Sequence, residues 1–395
     1  MSIMLPLEGI TVVSLEQAVA APFASRQLAD LGARVIKIER PNVGDFARDY
    51  DQTVKGQSAY FVWLNRSKES LTLDVKHPKA ADILGRLVAR ADVFIQNLAP
   101  GAAKRLGLAA DVLLPKHPRL IVCDISGYGD SGPYAKKKAY DLLVQSEAGV
   151  LSVTGTEDAP SKVGISITDI GTGLHAYAAI LAALYEREKT GKGRRIEVTM
   201  FDAMVEWMSH PLYYTHFGGK APKRSGPDHA TIVPYGRFRA GDGRHVMFGI
   251  QNEREWAGFC KGVLRRVELA TDPRYDNNTK RTAARAEVVA LIESVFADFT
   301  ADEVVARLDA SGIANGRLNT PGDVWEHAQL KARKRWREVD TPAGPIPAIL
   351  PPASFDGVDA RMDAIPGIGE HTGSILAELG YAETDVAELK SGGAV

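Results

Sequence analysis

Residues 9–40 read "GITVVSLEQAVAAPFASRQLADLGARVIKIER" and predict a β-α-β unit. A short β-branched run precedes a segment with apolar residues at helical spacing that ends at Gly32, and "ARVIKIER" gives a second strand. The alternation continues to residue 125 through the strands "LTLDV", "DVFIQN" and "RLIVCDI". Strands that alternate with helices of this length favour parallel pairing. The sequence therefore predicts an α/β fold with a doubly wound parallel sheet.

The pattern changes after residue 212. Residues 213–245 are rich in Gly, Pro and His without a sustained period, which indicates a linker and an irregular entry into a smaller domain. "HVMFGIQ" then gives a strand, and three helical segments follow. We predict a large domain over residues 1–212, a linker and small α/β domain over 213–330, and a C-terminal segment over 331–395.

The bulk composition excludes several classes of protein. With 395 residues and 45% hydrophobic content the chain can bury a substantial core, and its net charge of -1 gives no reason to expect nucleic acid or a membrane surface as a partner. Cys123 and Cys260 cannot form a disulfide framework. None of the nine histidines has zinc spacing, so no metal is predicted. Because neither a signal peptide nor a transmembrane run is visible, a soluble cytoplasmic protein is expected.

The turn after the first strand argues against a dinucleotide. "EQAVAAP" contains no glycine, so the Gly-x-Gly-x-x-Gly approach to a pyrophosphate is missing and an NAD-dependent enzyme is disfavoured. The second strand ends at Arg40, where an arginine suits a ribose phosphate such as the one on the adenosine of coenzyme A (CoA). A surface salt bridge explains Arg40 alone more simply.

Asp169 stands in "SITDIGTGLHAYAAILAALYEREKTGKG", residues 166–193, before a long apolar helix. An aspartate just before a helix is a preferred N-cap, which typically contributes ~1 kcal/mol over alanine. Gly171 and Gly173, however, are small residues that let atoms of another molecule approach a carboxylate closely. An accessible carboxylate acts as a nucleophile toward an activated acyl group. Spacing alone favours the cap, and the two roles are compatible.

The loop "GYGDSGPYAKKKAYD", residues 127–141, is a third candidate element. Its glycines allow backbone amides to face a ligand, and Lys138 and Tyr140 add a cation and a hydroxyl. The alternative is a flexible loop with a basic patch.

Several of these segments together resemble the family III CoA-transferases, the CaiB/BaiF family. The similarity runs in order through "LADLGARVIKIERP", "NRSKESLTLDV", "QNLAPGAAKRLGL", "SGYGDSGPYAKKKAYD" and "ITDIGTGLHAYAAILAALYEREKTGKG". The resemblance implies a Rossmann-like large domain completed by the C-terminal segment, a smaller domain from the middle of the chain, and an interlocked homodimer of two ring-like subunits. It also implies an acyl-CoA and a small carboxylic acid as substrates, with no tightly bound cofactor.

The resemblance assigns a role to each candidate residue. Asp169 matches the catalytic aspartate, which attacks the acyl-CoA thioester to give a mixed anhydride and then carries CoA as an aspartyl thioester. Gln17 and Ala18 match an oxyanion-type site in the first strand-to-helix turn. The expected CoA contacts are Arg40, Leu73, Asn97, Leu98, Arg105, Lys138 and Tyr140.

Two departures from relatives bear on the reaction. Acyl-CoA racemases of this superfamily carry a His-Asp pair where this chain has Tyr140-Asp141, which favours a transferase over a racemase or epimerase. A run of four glycines typical of the formyl-CoA:oxalate branch is represented only by Gly249, which weakens an oxalate assignment. After a CoA-transferase and a racemase or epimerase, a non-catalytic acyl-CoA-binding protein is the third hypothesis for the function.

The acid substrate is less well defined by the sequence. Arginine binds carboxylates in a bidentate manner, so a small dicarboxylate is attractive. Ordinary surface or interdomain contacts explain the same residues equally simply. The candidate acid-binding residues are Arg48, Tyr50, His229, Tyr235 and Arg237.

Overall fold

The β-α-β unit at the N-terminus opens a six-stranded parallel sheet in the computed structural model, which describes residues 4–395. Every neighbouring pair of strands is parallel, which confirms the predicted α/β class. The strand order is β3-β2-β1-β4-β5-β6, the order of a doubly wound fold whose direction reverses between β1 and β4. The strands are β1 (Thr11–Leu15), β2 (Arg34–Glu39), β3 (Lys68–Thr72), β4 (Val93–Gln96), β5 (Ile121–Ser126) and β6 (Arg195–Thr199).

The helices of this part of the chain cover both faces of the sheet. Two large groups of buried apolar side chains, one around Phe94 and one around Cys123, fill the space between the strands and the helices. Up to residue 218 the helices are α1 (Ala20–Asp30), α2 (Ala59–Leu64), α3 (Ala80–Ala89), α4 (Ala102–Arg105), α5 (Ala110–Leu113), α6 (Asp141–Glu147), α7 (Val150–Val153), α8 (Ile167–Thr190), α9 (Met200–Trp207) and α10 (Ser209–Gly218). Of these, α7 and α10 fall almost entirely in a second compact unit and take no part in covering the sheet. A 3-10 turn, Phe46–Asp49, follows β2.

Helix α8 packs closely against α1 and α9 at two of its glycines. A Cβ on Gly173 would lie 2.5 Å from the carbonyl oxygen of Ala20, and a Cβ on Gly171 would lie 3.1 Å from the Trp207 ring. The two glycines therefore serve helix packing, and the expectation that they admit another molecule is wrong. Helix α8 is also long and apolar enough to span a membrane by length and composition alone, but it is packed against α1, α9 and the sheet as a core helix is.

The chain divides into two compact units. The first contains the described residues up to Val150, Val163–Ser209 and Lys331–Val395, and the second contains Leu151–Lys162 and His210–Leu330. The predicted boundaries at residues 212 and 330 did not anticipate that Leu151–Lys162 belongs to the second unit. That segment is held there by Arg224, which donates to the carbonyl oxygens of Thr156 and Glu157.

The second unit is built on a three-stranded antiparallel sheet, in the order β7-β8-β9, that packs against helices. Besides α7 and α10, its elements are β7 (Tyr235–Arg239), β8 (His245–Gly249), α11 (Glu253–Phe259), α12 (Asn278–Ala283), α13 (Arg285–Phe296), α14 (Ala301–Ala310), β9 (Asn315–Arg317), α15 (Pro321–Trp325) and α16 (Ala328–Ala332), which ends just beyond the last residue of the unit. A π-helical turn at Cys260–Leu264 and a 3-10 turn at Val267–Ala270 follow α11.

The C-terminal segment packs on the edge strand β3 of the first unit. The backbone amide of Thr72 donates to the hydroxyl of Thr372, and the amide of Ser70 donates to Nδ1 of His371. The segment contains an antiparallel pair and two helices: β10 (Trp336–Val339), β11 (Ile346–Ile349), α17 (Thr372–Glu378) and α18 (Glu383–Ser391).

Candidate active site

Asp169 lies inside the first turn of α8, and it is not the N-cap. The helix begins at Ile167, and Asp169 is its third residue. The backbone amides of Thr168 and Asp169 donate to Oδ1 of Asp141, at 2.8 Å and 3.2 Å. The predicted capping role of Asp169 is therefore wrong, because Asp141 of α6 supplies the oxygen that caps α8. The Asp169 carboxyl group is left free of that role and is half-buried.

Asp141 is itself held in place by a buried glutamine that the sequence analysis did not identify. Nε2 of Gln145, one turn later on α6, donates to Oδ2 of Asp141 at 2.6 Å. Oε1 of Gln145 accepts the backbone amide of Val163 at 3.0 Å, and the Gln145 side chain is fully buried. The spacing of four residues between Asp141 and Gln145 on one helix was the available signal.

The surroundings of Asp169 favour its protonated form. Burial, followed by the negative charge of Asp141, raises the pKa of Asp169 to about 7. A raised pKa of this kind means that about half of the free carboxyl groups are ionised near neutral pH and that the ionised fraction grows as pH rises. Asp169 is therefore a carboxyl group that ionises in the range where acyl-transfer chemistry normally operates.

The charge of Asp169 also acts on a tyrosine of another segment. Burial and the charges of Asp45 and Asp169, with a smaller contribution from Tyr140, raise the pKa of Tyr50 to about 12. Tyr50 is therefore within electrostatic range of Asp169, and its hydroxyl keeps its proton at neutral pH as a hydrogen-bond donor. Tyr140 is exposed.

The loops after β1 and β4 meet at the point where the strand order reverses. The amide of Gln17 donates to Oδ1 of Asn97 at 2.9 Å, and Nδ2 of Asn97 donates to the carbonyl oxygen of Gln17 at 2.8 Å. Ala18 is held at a φ of 63°, and its amide donates to Oδ1 of Asp45 at 3.1 Å. The backbone amides of both residues of the predicted oxyanion-type site are thus engaged within the protein, which leaves the Gln17 side chain as the candidate group.

A buried ionic network, missed in the sequence, supports this loop. Lys37 donates to Asp45 at 2.8 Å and lies 3.3 Å from Glu16, while Lys68 donates to Glu16 at 2.7 Å. The carboxyl and ammonium groups of Glu16, Lys37 and Lys68 are fully buried. Burial alone would raise the pKa of Glu16, but Lys68 and Lys37 lower it to about 2. The network thereby fixes Asp45, which in turn holds Ala18.

Arg48 was predicted to bind the acid substrate, but its guanidinium group is already paired within the protein. Its guanidinium makes a bidentate ion pair with Glu39, at 2.7 Å and 2.8 Å, and covers the ring of Phe61 at 3.7 Å. Glu39 is fully buried at its carboxyl end, so breaking this pair would leave a buried charge. Arg48 is therefore a structural residue of the loop, whereas its predicted companion Tyr50 stays a candidate whose pKa is affected by the charge of Asp169.

The remaining predicted CoA contacts fall into two groups. Leu73 is a buried core residue, and Leu98 packs against the same cluster. The cations are exposed: Nε of Arg40 donates to the carbonyl oxygen of Gly44 at 3.2 Å, and Arg105 and Lys138 also lie on the surface. The salt bridge considered for Arg40 does not form among residues 4–395.

The other acid-binding candidates belong to the second unit. The rings of His229 and Tyr235 stack with their centroids 5.2 Å apart, and the amide of Arg237 donates to Asp228. Within the described part of the chain, no group of three or more His, Cys, Asp or Glu side chains is arranged to hold a metal ion.

Comparisons with known proteins agree on one family. The family model described as CoA-transferase family III matches residues 7–372. The chain is 35% identical to the succinyl-CoA:glutarate CoA-transferase of Mus musculus over 99% of this chain and 91% of that protein. It is 38% identical to the acetyl-CoA:oxalate CoA-transferase of Acetobacter aceti over 82% of this chain and 83% of that protein. The crystal structure of a CAIB/BAIF family protein from Brucella suis matches with a TM-score of 0.83 and 35% identity, over 95% of this chain and all of that one.

Proposed function

This chain belongs to CoA-transferase family III, and we propose that it moves CoA from an acyl-CoA donor to a small carboxylic acid through covalent intermediates on Asp169. The observation that carries the proposal is the state of this carboxyl group. It is half-buried, free of a capping role, and opposed by the like charge of Asp141. A carboxylate of raised pKa is less stabilised as an anion, and such an anion is the better nucleophile.

The first half of the reaction transfers CoA to the enzyme. A carboxylate oxygen of Asp169 attacks the thioester carbon, the new C–O bond forms as the C–S bond breaks, and CoA leaves as a thiolate. The thiolate then attacks the Asp169 carboxyl carbon of the mixed anhydride. The donor acid departs as a carboxylate, and Asp169 is left as an aspartyl-CoA thioester.

The second half repeats these steps with the acceptor. The acceptor carboxylate attacks the aspartyl thioester carbon and releases the thiolate, which then attacks the acceptor carbonyl carbon of the new anhydride. Acyl-CoA forms and the Asp169 carboxylate is regenerated. One anion is consumed and one is released at every step, so the cycle needs no external proton or oxidant. The Tyr50 hydroxyl and the Gln17 side chain are the groups we assign to developing negative charge on the reacting oxygens.

The exposed cations are assigned to CoA. Arg40 at the end of β2 suits the adenosine phosphate, and Lys138, with Tyr140, is assigned to the loop that lines the CoA channel. Asn97, Leu98 and Arg105 are assigned to the nucleotide and pantetheine portions.

The proposed acceptor is a small dicarboxylate. Relatives named for succinyl-CoA, glutarate and oxalate motivate this class. An assay panel of succinyl-CoA and acetyl-CoA donors against succinate, glutarate, oxalate and acetate tests it, and acetate as the best acceptor would contradict it.

We also propose a cytoplasmic homodimer with interlocked subunits. Helix α10 carries large exposed apolar side chains, including Tyr213 and Phe217, which is typical of an interaction surface. Cys123 and Cys260 are free thiols, which suits a reducing compartment. Light scattering on the purified protein distinguishes a dimer from a monomer.

The experiment that tests the function compares two aspartates in equivalent positions. Asp169 and the exposed Asp202 each lie in the first turn of a helix, α8 and α9. We expect Asp169→Asn to abolish CoA exchange and Asp202→Asn to leave it unchanged, with both variants folded. Full exchange in Asp169→Asn would contradict the covalent route, and deuterium exchange at the α-carbon without an acceptor acid would indicate a racemase instead.

A further inference from the structure

Asp141 contacts the backbone of the nucleophile itself. Its Oδ1 accepts the amides of Thr168 and Asp169, and its Oδ2 accepts Nε2 of Gln145. Because Gln145 is fully buried and also binds the amide of Val163, the Asp141 carboxylate is held on both oxygens. Two helices that are separate in sequence, α6 and α8, are joined at the turn that carries Asp169.

We propose that Asp141 is a positioning residue for Asp169, which fixes the first turn of α8 and whose charge disfavours the free Asp169 carboxylate relative to the acylated states. This inference rests on the proposed function, in which Asp169 is acylated. It assigns to Asp141 an effect on the equilibrium between free and covalent enzyme, which an ordinary helix cap does not have.

The electrostatics around Asp169 support this role. Burial and then Asp141 raise the pKa of Asp169 to about 7. Tyr50, whose own pKa is raised to about 12 by burial and by the charges of Asp45 and Asp169, is neutral at this pH and adds no charge. The charges on the other elements packed against α8 are paired or exposed: Arg26 with Asp30 on α1, Arg195 with Asp124 and Glu197 on β5 and β6, and the exposed Asp202 and Glu206 on α9.

The direction of the effect follows from charge. The positive end of a helix normally stabilises an anion in its first turn, but here Asp141 occupies two of the free amides. In the anhydride and in the thioester the Asp169 carboxyl group is neutral, so its repulsion with Asp141 is absent. Regenerating the free carboxylate restores the repulsion. Asp141 therefore shifts the equilibrium toward the covalent intermediates.

Three variants separate charge from structure. Asp141→Asn removes the charge and keeps one oxygen for the two amides, but its NH2 group then faces the Nε2 donor of Gln145. Asp141→Glu keeps both the charge and two acceptor oxygens. Glu147→Gln is the matched control, because it removes one negative charge from the same helix at an exposed residue that pairs with Lys137. The fraction of protein carrying CoA is measured by intact mass after acid quenching of a single turnover, between roughly pH 5 and pH 9.

The expected result is a shift of the acidic limb of the curve that relates the CoA-adduct fraction to pH. In the wild-type protein, adduct formation is half-maximal near a pH of about 7. Asp141→Asn moves the limb down by roughly one pH unit and lowers the adduct fraction at equilibrium by up to about tenfold. Glu147→Gln leaves the position of the limb and the adduct fraction unchanged. Asp141→Glu, which keeps the charge, has its limb close to that of the wild type.

Two results would overturn the inference while leaving the proposed function intact: an Asp141→Asn limb at the wild-type position, or a wild-type limb near about 4, the ordinary carboxylate value. The second decides the question even where Asp141→Asn fails to fold. If the wild-type protein forms no adduct at Asp169 at any pH, the proposed function fails and the inference falls with it.

Discussion

Replacing Glu16 by glutamine removes the shared anion of the buried network under the catalytic loop. Lys68 donates to Glu16 at 2.7 Å and Lys37 lies 3.3 Å away, with all three side chains fully buried. The variant keeps the size of the side chain but leaves two cations facing a neutral amide. Breaking a buried ion pair by removing one partner costs about 3–5 kcal/mol.

The pKa of Glu16 gives an independent value for the same effect. It is lowered from 4.5 to about 2, and each pKa unit corresponds to about 1.4 kcal/mol, which makes about 3 kcal/mol. Because the pKa is lower in the folded protein, this stability is present above pH ~4.5 and is lost as pH falls toward ~2. Burial and Lys37 lower the pKa of Lys68 to about 8 in the presence of Glu16, so deprotonation of Lys68 relieves part of the penalty in the variant.

The assay is urea unfolding of wild type and Glu16→Gln at equal protein concentration. We expect a loss of about 3 kcal/mol near pH ~5. The loss becomes smaller as pH rises toward about 8, because without Glu16 the pKa of Lys68 falls below its wild-type value and the variant loses this proton first. Glu388→Gln, which removes an exposed carboxylate 3.6 Å from Lys79, is the control and should change little. A loss below about 1 kcal/mol for Glu16→Gln would refute the reasoning, because the network would then not depend on its shared anion.

Three further outcomes are expected. Gly173→Ala places a Cβ 2.5 Å from the Ala20 carbonyl oxygen and should lower the free energy of unfolding by ~1–3 kcal/mol; an unchanged urea midpoint would contradict the close packing of α1 on α8. Gly85→Ala in α3 meets open space and should instead gain ~0.5–1 kcal/mol; a loss in the same experiment would contradict it. Arg40→Ala should raise KM for acyl-CoA about tenfold without changing kcat; an equal rise with a donor lacking the adenosine phosphate would exclude that phosphate as its partner.

The sequence predicted the sheet because its signal is local. Apolar spacing, β-branched runs and the turn at Gly32 lie within each element, so the β-α-β units were identified from the pattern of side chains alone. The sequence predicted α8 as a long apolar helix but did not show which of its apolar residues face the core: Leu174 is exposed, whereas Ala176 and Ile180 are buried. When several elements pack around a helix, its apolar pattern does not show which face packs against the sheet.

The site was harder to predict because its determinants are tertiary. Asp141 caps a helix that begins 26 residues later in the chain, from Asp141 to Ile167, and no local rule connects them. The pairing of Arg48 with Glu39 and the convergence of Tyr50 with Asp169 depend in the same way on how the loops after β2 and before α8 fold. The sequence identified the chemical groups, whereas their partners are fixed by contacts between distant segments.

The covalent role of Asp169 has a decisive readout in the fate of an oxygen atom. Both oxygens of the acceptor carboxylate are labelled with a heavy isotope. The bridging oxygen of the acceptor anhydride comes from this carboxylate, and it stays on Asp169 when the thiolate attacks the acceptor carbonyl carbon and acyl-CoA forms. After a single turnover, mass spectrometry of the peptide that contains Asp169 should show one heavy oxygen on that side chain and none on Asp202. A labelled acyl-CoA product formed with no isotope at Asp169 would contradict the mechanism.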